Sequence, residues 1–406
     1  MKKLNIGILT DQFIKWGGGI DFIRLILNGL HAVNESGKLE INIYVYVPKQ
    51  SEYSESKIWI KNTVKLVLNK LFKRHYQLQI NISKNSFINT FKSIDDKIKI
   101  IYYSKEDLLA KKINKNNIDF ALPAFYPLAE SFPKPWAGYI YDFQHKYFPI
   151  FFSEEEINKR DNQFRSMLNQ AKTIIVNAAS VKNDIDKFMG ATKTRIVVLP
   201  FCPVLNLDFF YDEAKIEKYN LPQNFFMISN QFWKHKDHVT AFKAFRIFID
   251  NLGDENFCLV CTGQIHDSRF PDYFDSLKAL ISNLNLTKNI RILGYIPKKE
   301  QLHILKNCVA VIQPTLFEGG PGGGAVYESV AYGKSSIVSD IPVNKELDDE
   351  TVTFFRSGSA EDLAEKMYSV FKGLKKSYTK KELIEKNSKS LKRFGNSILS
   401  IFDTDE

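Results

Sequence analysis

The chain has 406 residues, 44% hydrophobic and 25% charged, which excludes a disordered protein and leaves room for two domains. No stretch approaches the roughly 18 consecutive apolar residues of a membrane span. The short apolar run near the start is broken by Asp11 and Lys15, so no signal peptide is expected and the cytoplasm is the expected location. The net charge of +10 is uneven: residues 52–115 carry 14 Lys/Arg against 6 Asp/Glu, which suits either a solvated lysine-rich surface or an anionic partner.

Residues 4–9 read as a strand, 20–33 as a helix and 41–47 as a second strand. Between the first two lie Gly17, Gly18 and Gly19, which allow close backbone approach to a phosphate, although a tight turn explains them as well. The spacing is not that of a dinucleotide-binding fingerprint. In residues 58–78, Val64, Val67, Leu68, Leu71 and Phe72 recur at helical spacing and Lys61, Lys65, Lys70, Lys73 and Arg74 flank them. That pattern fits a helix lying on an anionic membrane surface and fits a core-facing helix equally. Further strands are expected at 99–103, 120–122, 138–141 and 173–176, and helices at 154–170 and 180–188. Asp142 and His145 follow the strand at 138–141. An acid and a histidine there could orient a sugar or an acceptor, the alternatives being a helix cap and a core histidine.

The pattern breaks after Pro200, and residues 201–221 read as a linker. It then restarts, with strands at 225–229, 257–262, 290–293, 309–312 and 336–338 and helices at 238–251, 273–284, 299–307 and 325–332. The expected organisation is an N-terminal domain (1–200), a C-terminal domain (222–382) and a final helix (383–406) returning toward the first. Such alternation predicts parallel sheets with helices on both faces, and ligands at the carboxyl ends of the strands.

Several unusual residues fall at those ends. Gln231, Lys234, His235, Lys236 and His238 follow the first strand of the second unit. Two lysines there suit a diphosphate, whereas the histidines lack companions at metal-ligand spacing, so no metal is expected. Gly263 ends the next strand. Cys258 and Cys261 form a CxxC, but residues three apart on a strand point to opposite faces, so buried apolar cysteine is the preferred reading. Residues 317–328 carry Gly319, Gly320, Gly322, Gly323 and Gly324 between a strand and a helix, bracketed by Glu318 and Glu328. Backbone N–H groups at a helix N-terminus suit an anion and the carboxylates suit sugar hydroxyls, so the ligand suggested is both sugar and phosphate.

Taken together these motifs resemble the GT-B glycosyltransferases of family 4. The resemblance rests on the glycine turn after the first strand, the basic pair after the first strand of the second domain, Gly294-Tyr295-Ile296, the paired glutamates and Ser339-Asp340-Ile341-Pro342. It implies two Rossmann-like α/β domains facing a central cleft and retaining transfer of a sugar from a nucleotide-diphosphate donor. Glu318, Asp142, His145 and Lys236 would carry the chemistry. Gly18, Gly19, Gln231, Lys234, Lys236, Gly263, Tyr295, Ile296, Gly319, Gly320, Gly322, Gly323, Gly324 and Glu328 would hold the donor. The donor would be a UDP-, GDP- or dTDP-sugar used as co-substrate, with no separate cofactor and no metal. The acceptor would be a glycan or lipid-linked glycan in O-antigen or capsule assembly, reached at the inner membrane face through residues 58–78; nucleic acid is not an expected partner. Two departures stand out. Gln231 occupies the family's arginine position, and nine residues rather than seven separate the two glutamates. An epimerase or hydrolase on the same fold and a non-catalytic transferase-like subunit are the rival readings; Gln231 favours the latter.

Overall fold

The computed structural model describes residues 3–15, 17–35, 39–49, 89, 91–205, 207–210, 216–253, 256–373 and 378–402. The amphipathic stretch at 58–78 lies outside them. The chain divides into two compact units, residues 1–200 with 388–406, and residues 201–387.

The first unit is built on a seven-stranded parallel sheet in the order β3-β2-β1-β4-β5-β6-β7. These strands are Lys3–Leu9, Glu40–Pro48, Lys99–Tyr103, Phe120–Ala124, Trp136–Tyr139, Thr173–Val176 and Arg195–Val198 for β1 to β7. Buried positions run continuously along β4, β5 and β6 rather than alternating, as expected for parallel strands covered on both faces. Pro123 lies inside β4, where the register with β5 shifts between Ala121 and Ala124, the kind of irregularity that accommodates a residue without an N–H. The three glycines after β1 form no loop: Gly17–Asn34 is one helix. Part of the final helix, Lys380–Leu399, belongs to this unit. A Cβ at its Gly395 would stand 2.1 Å from the Gly29 carbonyl oxygen, so the two helix backbones meet at paired glycines.

The second unit is a six-stranded parallel sheet in the order β10-β9-β8-β11-β12-β13. Its strands are Phe225–Ser229, Cys258–Thr262, Ile290–Gly294, Val311–Gln313, Ser336–Ser339 and Val352–Phe355 for β8 to β13. The order reverses between β8 and β11, which makes the carboxyl ends of those two strands the topological switch point where ligands bind in such sheets. One core lies on each face of the sheet. Phe226, Ile228, Phe242, Phe245, Phe248 and Phe257 pack in one; Phe225, Met227, Val260, Leu302 and Leu305 pack in the other. Cys261 falls in the first and Cys258 in the second, both as free thiols. That is the opposite-face placement that a spacing of three dictates, and burial pushes both thiols above their ordinary pKa.

The segment 201–221 is part of this unit: Leu205 and Phe210 are buried against Phe225 and Met227. Apolar residues hidden among polar ones explain why it reads as a linker. Strand β13 and the helix Ala360–Lys372 complete the unit.

Candidate functional site

In the second unit the switch point gathers the loops after β8, β11 and β12. The loop after β8 makes a short 3-10 turn over Lys234–Lys236 and holds Asp237 at φ 46°, from where its Oδ1 accepts the Thr240 N–H and caps the helix His238–Leu252. The loop after β11 is fastened onto it. The Leu316 N–H donates to the His235 carbonyl at 2.7 Å and the Thr315 hydroxyl donates to the same oxygen at 3.1 Å. The Ser339 hydroxyl, at the end of β12, donates to the Thr315 carbonyl at 2.6 Å. Asn344 then bridges, donating to the Ser339 carbonyl and accepting the Gly322 N–H at 2.8 Å. Three loops distant in sequence thus form one bonded layer.

That layer brings Lys236 and Glu318 into contact. The ammonium donates to Glu318 Oε1 at 2.5 Å, and the two side chains are only 9% and 11% exposed. The Gln313 side-chain amide donates to the same oxygen at 2.8 Å, and Asn230 Nδ2 donates to the Gln313 side-chain Oε1 at 2.6 Å. Both donors converge on Oε1, and none among the described residues donates to Oε2.

The glycine run fits around this pair. Gly322 and Gly323 adopt φ of 72° and 64°, conformations that suit glycine alone. A Cβ at Gly322 would stand 2.6 Å from Val326, and one at Gly323 3.0 Å from the Gln313 amide nitrogen. At Gly324 a Cβ would meet nothing within 4 Å. The helix Gly323–Ala331 begins here and carries Glu328 one turn on. Glu328 pairs with Lys298 and accepts from Gln301 Nε2 at 2.8 Å; the same nitrogen donates to the Ser229 hydroxyl at 2.9 Å.

Gly263 lies beside this site with φ 134°; a Cβ there would come within 2.0 Å of the Asn230 carbonyl oxygen. Its N–H donates to the Gly294 carbonyl. Tyr295 is 76% exposed while Ile296 is buried. Gln231 and Lys234 are exposed, with the Lys234 ammonium 3.8 Å from the Phe270 ring centre. His235 and His238 are buried and held neutral, with pKa values of about 2 and about 3. Burial is the main cause in each case, reinforced by the Lys236 charge. Neither adds a cation, and no group of three or more His, Cys, Asp or Glu among the described residues could hold a metal.

In the first unit, Gly18 and Gly19 stand in the first turn of the helix Gly17–Asn34, at the carboxyl end of β1. Asp142 follows β5, accepts the Gln144 N–H at 2.9 Å and lies 3.7 Å from Arg160. His145 is fully buried among Phe143, Phe152 and Phe164, and its Nε2 lies 3.0 Å from Asp161 Oδ1. Burial lowers its pKa despite that carboxylate. Asp161 also accepts from Lys146, and these bonds hold its own pKa down although burial opposes them. Asp142 and His145, three positions apart in sequence, therefore have separate partners.

The amides Asn230, Gln301, Gln313 and Asn344 and the cation Lys298 are absent from the sequence reading. Gln313 carries a usable signal: it is the first polar residue after the apolar run 309–312, at the strand end where ligands bind.

Residues 211–389 match the family model described as glycosyl transferases group 1. The match takes in every element of the switch-point site. No curated protein matches the chain. Solved structures similar to the whole chain include a glycosyltransferase from Rickettsia africae, 17% identical with a TM-score of 0.57, covering 99% of this chain and 95% of that one. Anabaena HepE in complex with UDP and glucose is 12% identical with a TM-score of 0.56, over 98% and 96%. A UDP-forming trehalose-phosphate synthase from Burkholderia xenovorans in complex with glucose-6-phosphate is 9% identical with a TM-score of 0.61, over 98% and 100%. At these identities the likeness is one of fold: two parallel-sheet, Rossmann-like α/β domains of the GT-B type. No described helix is long and apolar enough to cross a membrane.

Proposed function

We propose that the protein transfers a glycosyl group from a nucleotide-diphosphate donor to a glycan or lipid-linked glycan acceptor, with retention at the anomeric carbon. The observation that carries this reading is the Lys236–Glu318 pair, buried beside the glycine turn at the switch point of the domain that matches glycosyl transferases group 1. The comparison structures holding UDP and glucose, and glucose-6-phosphate, support it.

In this reading the donor lies on the second unit. Glu328 accepts hydrogen bonds from the ribose hydroxyls and Glu318, through Oε2, meets the donor sugar. As the glycosidic bond to the diphosphate breaks, negative charge grows on the leaving oxygen. The Lys236 ammonium and the N–H groups opening the helix Gly323–Ala331 stabilise that charge, a role fixed donors perform without reorganising. We assign Gly18 and Gly19, at the carboxyl end of β1, to phosphate binding and Asp142 and His145 to the sugar or acceptor. Burial lowers the pKa of His145 and encloses it against Asp161, so its part is to position its neighbours and not to act as a cation. Gln231 supplies no charge, which leaves Lys236, aided by Lys234, to neutralise the diphosphate without a metal. The setting we assign is polysaccharide assembly, O-antigen or capsule, at the inner membrane face.

A thermal-shift panel of UDP-, GDP-, dTDP- and ADP-sugars tests donor binding, since a ligand of the folded state raises its melting point. One class should stabilise the protein, and transfer should persist in excess chelator. No shift with any donor class defeats the reading. Donor consumption that ignores added acceptor favours a hydrolase, and binding without consumption the non-catalytic subunit to which Gln231 points.

A further inference from the structure

Gln313 has no place in the chemistry above, yet it is fully buried at the carboxyl end of β11 and touches the central carboxylate. An amide carries a donor end and an acceptor end of nearly equal shape, and its neighbours decide which faces where. Here the decision belongs to Asn230. Its Nδ2 donates to Gln313 Oε1 at 2.6 Å, so the Gln313 carbonyl oxygen is committed and its NH2 is turned toward Glu318, 2.8 Å away. Asn230 is 8% exposed and its own backbone N–H is bound to the Thr262 carbonyl at the end of β9. The relay therefore runs from β9 through β8 and β11 to Glu318, anchored at each step in the sheet.

Lys236 alone would not fix the carboxylate. An ammonium is a point charge that either oxygen can approach. A second donor on the same oxygen defines which oxygen is held and leaves Oε2 for a ligand. The glycine run makes room for this: a Cβ at Gly323 would stand 3.0 Å from the Gln313 amide nitrogen and 3.2 Å from the Glu318 carboxylate.

We propose that Gln313 is a positioning residue, its amide oriented by Asn230, that holds Glu318 Oε1 so that Oε2 is presented to the donor sugar. This inference rests on the donor reading given above. It predicts that the relay affects the reacting sugar and not the nucleotide.

The test uses the full chain and UDP-glucose, GDP-mannose, dTDP-glucose and ADP-glucose as donors, with the matching free nucleoside diphosphates as binding probes. Gln313→Met keeps volume and neutrality while removing the donor. It should lower kcat at least tenfold, with the KM for the donor and the Kd of the free diphosphate within threefold of the parent. Asn230→Asp, which releases the amide to turn over, should reproduce the kcat loss although Asn230 does not touch Glu318. Gln313→Glu sets two carboxylates face to face beside Lys236, the one cation among the described residues in contact with Glu318. Its deficit relative to the parent should shrink as the pH falls from 8 to 6, because the introduced acid can donate only when protonated. A kcat within twofold of the parent for Gln313→Met overturns the inference. So does a joint fall of kcat, diphosphate affinity and melting temperature with an unchanged pH profile, which marks a purely structural role. If the parent protein neither binds nor consumes any of the four donors, the proposed function fails and takes this inference with it.

Discussion

Lys236→Met tests both the stability and the chemistry assigned to the switch point. The substitution keeps most of the side-chain volume and removes the ammonium from a carboxylate that is 11% exposed. Breaking a buried ion pair on one side costs about 3–5 kcal/mol, because the remaining charge is left without its partner. Gln313 still donates to the same oxygen, so the expected loss is at the lower end, about 3 kcal/mol. Glu318→Gln should cost less, since it leaves a cation that can move toward solvent. The double variant leaves no charge behind, so its loss should fall short of the sum of the singles by about 2 kcal/mol. Urea unfolding of the four proteins supplies the cycle. In turnover, losing a charge-assisted contact of about 1.5–3 kcal/mol should lower kcat roughly 10- to 150-fold. Additive stability losses, or a single loss under 1 kcal/mol, would show that the pair is not the buried contact described. An unchanged kcat would remove Lys236 from leaving-charge stabilisation.

Two further predictions concern the neighbours of this pair. Glu328→Ala should raise the KM for the donor with a smaller effect on kcat, and Gln301→Leu, which frees the same carboxylate from its amide, should raise it less; equal donor affinity in parent and Glu328→Ala would remove the ribose role. His238 is fully buried, stacked on Phe232, and neither ring nitrogen has a hydrogen-bond partner among the described residues. Its pKa is lowered to about 3, mainly by burial, so below an unfolded value of about 6.5 the unfolded chain binds a proton that the folded chain does not. Stability should therefore fall with pH by up to about 1.4 kcal/mol per unit from this group. His238→Phe should be nearly neutral at pH 7.5 and more stable than the parent by about 1–2 kcal/mol at pH 5.5; parallel pH profiles would refute the argument.

The parallel architecture is legible because runs such as 225–229 and 309–312 are apolar, short and followed by polar strand ends, which is also why Lys236, Glu318 and Glu328 stand out. Other features are not legible for definable reasons. Gly17–Gly19 read as a turn because glycine is a poor helix former, yet they form a helix start, where few intrahelical bonds exist to be weakened. Gln301 and Asn230 carry no pattern, since a buried amide looks like a surface amide until its partners, 27 to 83 positions away, are placed. Residues 201–221 read as a linker because Leu205 and Phe210 bury too few side chains to set a period. His145 looked available as a group at a strand end, and only its aromatic cage and Asp161 reveal how enclosed it is.

The longer spacing between the glutamates gives the most direct test of what the glycine run is for. Gly322 and Gly323 are committed: both have positive φ, one is tied to Asn344, and the other abuts Gln313 and Glu318. Gly324 is not. Its φ lies outside the left-handed region, it is exposed in the first turn of the helix, and a Cβ there meets open space. On protein grounds Gly324→Ala should therefore be tolerated and should stabilise by roughly 0.4–1 kcal/mol, as alanine does in a compatible helical position. On the donor reading the same methyl enters the space reserved for the diphosphate or sugar and should raise the donor KM several-fold. The two effects have opposite signs, so a higher melting temperature with weaker donor binding identifies the glycine as a ligand contact. A higher melting temperature with unchanged donor binding means the open side of the turn faces solvent alone, and the anion site must then be assigned to Lys236 without the helix N-terminus.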